Sequence, residues 1–200
     1  MLAVPNPRPA RAERLDSIDI PQAAKDEGHN GSATYIAEVG ADGKLIALRL
    51  KESSMSPAID AAVKAQAEKL YYFAATDKDG NKIVGTAEVR GAYAHYDRRS
   101  PGGGLETYTC GDLVREWDWF TAANAGRRKL FWPHNAYTSL ASIEAMRSGI
   151  SPDRKSMLNS RQKREKMWAD LIKRCRKTPA KPMLDEVEEP DAYRRLMESF

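Results

Sequence analysis

The side chains that could carry chemistry are few, and their spacing says little for catalysis. The histidines are His29, His95 and His134. None has a second ligand at i+3 or i+4 and no Cys-x-x-Cys occurs, so spacing gives little support to a metal centre. His95 and Asp97 could act as base and orienting acid for Ser53 or Ser54, but no nucleophile-elbow pattern accompanies either serine. Gly102, Gly103 and Gly104 lack a following Lys-Ser or Lys-Thr and do not open a helix, which argues against a phosphate cradle. These residues lead to the expectation of a protein without catalytic residues and without a cofactor.

Charge is the second candidate for function. Arg154, Lys155, Arg161, Lys163, Arg164, Lys166, Lys173, Arg174, Arg176 and Lys177 are opposed in their window only by Asp153, Glu165 and Asp170. Within this run Arg161, Lys163, Arg164 and Lys166 form a basic patch that could meet an anionic surface. The tail that follows reverses sign with Asp185, Glu186, Glu188, Glu189 and Asp191, and could fold over the basic helix. A formal net charge of +4 argues against a dedicated nucleic-acid binder.

The elements that must position any site come next. Gly31 to Val39 alternates, with Ala33, Tyr35, Ala37 and Val39 on one face and Thr34, Ile36 and Glu38 on the other. Gly40-Ala-Asp-Gly43 is a tight connection to a second strand from Lys44. Ser56 caps a helix whose first position is Pro57. Ile59, Val63, Ala67 and Leu70 form its apolar stripe, while Asp60, Lys64 and Glu68 face water. Ala75 to Lys82 reads as a loop, and Ile83 to Tyr93 alternates again. Strand, hairpin, strand, helix, strand predicts a three-stranded antiparallel sheet with one helix laid on it.

The chain has 200 residues, 42% of them hydrophobic, which suits one large or two small domains. No window reaches the roughly 20 apolar residues of a membrane span, and Met1-Leu-Ala-Val4 is too short for a secretory signal. Three glycines after Pro101 mark a boundary. Beyond it, Thr109-Cys-Gly-Asp112 is a capping box for a helix carrying Leu113, Trp117 and Phe120, with Val114 flanking, which fades at Asn124-Ala-Gly126. Leu130 to Asn135 reads as irregular and apolar. Helices are expected from Tyr137 to Ser148, from Ser151 through Met157, Leu158, Trp168, Leu171, Ile172 and Cys175, and from Asp191 to Ser199.

The segments Ile20-Pro21-Gln-Ala-Ala, Glu27-Gly-His-Asn-Gly31, Val39-Gly-Ala-Asp-Gly43, Glu52-Ser-Ser54, Ile59-Asp60-Ala-Ala62 and Leu70-Tyr-Tyr-Phe-Ala74 follow one another in an order and spacing that resembles the C-terminal domain of TonB-type proteins. The resemblance covers about residues 18–94. It departs from the family at Ile20-Pro21, where a Tyr-Pro pair is usual, and at Tyr71-Tyr72-Phe73 followed by Ala, where a Trp-x-aromatic and Pro are usual. With the resemblance confined to the first half and no family recognised for 105–200, the expected fold class is α+β: a flexible segment 1–17, a TonB-like domain 18–96, a Gly-rich linker 97–106, and a small helical domain 107–200 with an acidic tail.

The same resemblance implies a non-enzymatic periplasmic binding module that captures a partner peptide by strand addition, with contacts at Lys82, Val84, Thr86, Glu88 and Arg90. The partner would be a protein or peptide, an outer-membrane receptor among the candidates, and the open edge could also pair two copies of the chain. An alternative is the periplasmic part of an energy transducer, with a membrane anchor upstream. A weaker one is an envelope protein that meets anionic surfaces through its basic helix. Cys110 and Cys175 would be separate thiols in a reducing compartment. The periplasm implied by the resemblance favours their disulfide, closing a loop worth roughly 4 kcal/mol in the chain-entropy model.

Overall fold

A computed structural model describes residues 7–15, 17–97, 99–126 and 166–187. The expected helices from 137 to 148 and from 191 to 199, the irregular stretch 130–135, and Arg161, Lys163 and Arg164 of the basic patch lie outside these residues. The fold is α+β and divides into two compact units. The first comprises Met1–Lys25, His29–Tyr93 and Arg99–Pro101, and the second Asp26–Gly28, Ala94–Arg98 and Gly102–Phe200.

In the first unit, β1 (Arg11–Ala12) and α1 (Gln22–Asp26) precede β2 (Gly31–Val39), β3 (Leu45–Glu52) and α2 (Pro57–Ala67). Then come β4 (Tyr72–Phe73), β5 (Ala75–Thr76), β6 (Lys82–Ile83) and β7 (Gly85–Tyr93). The main sheet is antiparallel in the order β3-β2-β7. Alternation places Ala33, Tyr35, Ala37 and Val39 of β2 inside with Ala87, Val89 and Tyr93 of β7, and Ile59, Val63 and Ala67 of α2 are buried as well.

Helix α2 is fixed at both ends. Ser56 is its N-cap and accepts from the Ile59 amide at 3.2 Å, and Pro57 follows as read from the sequence. At the other end the Tyr72 hydroxyl donates to the Ala67 carbonyl at 2.7 Å. The helix closes at Ala67, and Leu70 lies in the turn beyond, partly buried against the core. Asp60 does not simply face water. Its carboxylate accepts from the Ser53 hydroxyl at 2.6 Å, the Ser54 hydroxyl at 2.6 Å and the Ser54 amide at 2.8 Å. These bonds hold the turn in which Met55 adopts a φ of 75°, costly for a residue with a side chain.

Within the expected flexible segment 1–17, residues 8–12 are paired in β structure. The Arg8 amide donates to the Thr76 carbonyl at 3.1 Å, the Thr76 amide returns a bond to Arg8 at 2.9 Å, and Arg11 and Ala12 pair with Phe73 and Tyr72. Ala10 is only 6% exposed. Pro7 and Pro9 alternate with Arg8, so the missing donors fall on the solvent side of an edge strand, where proline is tolerated. The stretch read as a loop is likewise a tight hairpin, with Ala75 opposite Ile83 and Thr76 opposite Lys82.

The described part of the second unit is helical. Helix α3 (Cys110–Ala123) starts at the Thr109 capping box, with Asp112 as its reciprocal partner, and residues 166–175 form α4. A short 3-10 turn (Met183–Glu186) follows. Leu113, Trp168, Leu171, Ile172 and Met183 form the core, with Trp117 and Phe120 packed against it. Cys110 and Cys175 are joined as a disulfide across 65 positions, tying the start of α3 to the last residue of α4. The Gly-rich stretch consists of turns, and Leu105 at its end is only 5% exposed within this core, so that residue belongs to the domain and not to a linker.

Candidate functional site

Strand β7 borders the main sheet, and its position is set by small residues beneath it. It pairs with β2 through nine consecutive residues, Gly85 opposite Val39 to Tyr93 opposite Gly31, without a register shift. A Cβ on Gly91 would stand 2.7 Å from Val63 Cγ2 of α2, and one on Gly85 would stand 2.6 Å from Ala75 Cβ. Glycine at both positions lets strand and underlying layer approach closely.

The direction of the backbone groups follows from the β2–β3 turn. The Gly40 amide donates to the Lys44 carbonyl at 2.8 Å, so residue 40 points towards β3. Alternation then turns Thr34, Ile36 and Glu38 towards β3, and Ala33, Tyr35, Ala37 and Val39 towards β7. Their partners Gly91, Val89, Ala87 and Gly85 therefore use their amides and carbonyls within the sheet. Thr86, Glu88 and Arg90 turn theirs outward, and among the described residues no strand pairs with that side.

Of the residues expected at a partner site, these three come together in one solvent-facing row. Glu88 is bonded to Lys51 of β3, and this contact holds the lysine above its usual range. The Arg90 guanidinium donates to the Ser32 hydroxyl at 3.1 Å. Lys82 and Val84 stand apart from the row. Lys82 is engaged opposite Thr76 in the β5–β6 hairpin, and Val84, 54% exposed, falls at a break between strands. The expected continuous strand from Ile83 is interrupted there because the chain leaves one ladder to join another.

Two other edges are obstructed. Strand β3 carries two register shifts against β2, between Thr34 and Tyr35 and between Glu38 and Val39. Such bulges break the regular outward row of donors and acceptors. The Arg8–Ala12 edge has Pro7 and Pro9 in place of two donors.

The remaining polar groups are absorbed in structure. His29 Nδ1 lies 2.8 Å from Ser56 Oγ, the helix cap, while Ser53 and Ser54 serve the Asp60 turn. The His95 ring packs against Tyr108, with centroids 6.0 Å apart. Among the described residues no group of three or more His, Cys, Asp or Glu is arranged to hold a metal ion, and no helix is long and apolar enough to cross a membrane. Lys166, the described member of the basic patch, is exposed on α4.

Sequence reading missed Glu116. It lies three residues after Leu113 on the stripe read as apolar and is 2% exposed. A charge on that stripe was the available signal. No protein-family model matches the chain, and no curated protein matches it either.

Proposed function

We propose that the chain is a non-enzymatic protein-binding module that captures an extended partner segment by adding it as a strand along β7. The observation that carries this reading is the outward row of backbone groups at Thr86, Glu88 and Arg90, on an edge that keeps register over its whole length. Main-chain hydrogen bonds would supply affinity, and the exposed row of side chains would supply selectivity. The order of the sheet, with the last strand at an edge beside the first long one, fits the resemblance to TonB C-terminal domains. The Cys110–Cys175 disulfide fits an oxidising compartment such as the periplasm.

The test is a proline at Thr86. Its amide takes no part in the β2 ladder, so Thr86→Pro keeps the fold while removing an outward donor. Peptides selected by display against the full chain are expected to lose at least tenfold in affinity for the variant. Unchanged affinity in a folded variant contradicts the reading.

A further inference from the structure

The second unit holds an acid in its core. Glu116 Oε1 accepts from the His95 amide at 2.7 Å, and Oε2 accepts from the Tyr108 hydroxyl. Tyr108 is fully buried, its ring meets Tyr96 edge-on with centroids 5.5 Å apart, and its carbonyl accepts from the Met183 amide at 2.9 Å. One carboxyl thus joins α3, the turn that follows Ala94 and the segment leading into the helix. Helix α3 is itself anchored by its capping box and by the disulfide, so it offers a fixed point for that turn.

A carboxyl enclosed in this way resists ionisation, because its charged form loses the solvation of water. Among the described residues, the titratable and charged groups about it include Asp112 and Arg115 on its own helix, which pair with each other, Tyr108 ahead of the helix, and His95 and Tyr96 in the turn. Asp26 and Glu27 are exposed in the 26–28 turn, and α4 presents apolar Trp168, Leu171 and Ile172 to the core. Burial is the largest influence on Glu116 and pushes it up to about 7, against the hydrogen bonds from Tyr108 and His95.

We propose that Glu116 is a pH-operated latch of the second unit, closed while its carboxyl keeps a proton and loosened when that proton passes to solvent. In the closed state one carboxyl oxygen accepts from the Tyr108 hydroxyl and the other from the His95 amide. The folded unit binds a proton that the unfolded chain has released. Its contribution to stability is therefore complete below the ordinary glutamate range and is lost as pH rises through about 7.

The described tryptophans, Trp117, Trp119 and Trp168, fall in the second unit, so their fluorescence reports its unfolding in the full chain. Between pH 5 and pH 8 the folding constant is expected to fall on the order of a hundredfold. Glu116→Gln keeps one acceptor oxygen in place and cannot ionise, and should flatten the profile. His95→Gln keeps the amide that matters and should retain it. A flat profile in the native chain, or an unchanged slope in Glu116→Gln, overturns the proposal. Should Glu116→Gln fail to fold, carbon-13 titration of the Glu116 carboxyl in the native chain decides, and a midpoint in the ordinary glutamate range refutes the latch.

Discussion

Strands β7 and β3 share β2 as their neighbour and differ in what they offer on the far side. Strand β7 holds register through nine pairs, whereas β3 slips twice within eight residues and leaves Ile46 and Leu50 exposed on an irregular border. Hydrogen-bonding capacity is present on both, but only a regular row can be matched by an incoming strand with its own fixed repeat. Regularity of spacing, more than exposure, distinguishes a docking edge from a merely unpaired one.

The sharpest way to break this comparison is to block each edge in turn. Leu50, opposite Tyr35, turns its amide away from β2, as Thr86 does in β7. Leu50→Pro should leave peptide affinity within about twofold, while Thr86→Pro loses tenfold or more, with both checked by calorimetric titration and near-native circular dichroism. Equal losses would erase the distinction between the edges.

A second prediction concerns what keeps β7 regular. Gly91→Ala places a methyl group 2.7 Å from Val63 Cγ2, and overpacking of this kind costs about 1–3 kcal/mol, read from urea unfolding. A paired Val63→Ala change should recover part of that loss. The smallest expected effect is at the cap of α2, where Ser56→Ala removes the acceptor for the Ile59 amide and should cost about 1 kcal/mol by the same measurement.

Where local rules decide the structure, sequence was enough to read it. Ser56 with Pro57, the box of Thr109 and Asp112, and the alternation of β2 all appear as expected, because each depends on residues within one turn or one strand. The Thr86, Glu88 and Arg90 row was legible for the same reason. The ladder between residues 8–12 and 72–76 was not, since segments of two residues carry no periodicity and join positions sixty or more apart. That Lys82 and Val84 lie outside the β7 row was not legible, because nothing in Ile83-Val84-Gly85 announces a change of ladder. The Asp60 turn and the burial of Glu116 arise from tertiary neighbours that no spacing reveals.

The account stands most directly on where a bound strand forms its hydrogen bonds. Amide hydrogen exchange of the full chain, measured with and without a selected peptide, should show new protection at Thr86, Glu88 and Arg90, whose amides face outward, and little change at Ala87 and Val89, already bonded to β2. Protection appearing along β3 instead, or nowhere on β7 at saturating peptide, would contradict capture by strand addition.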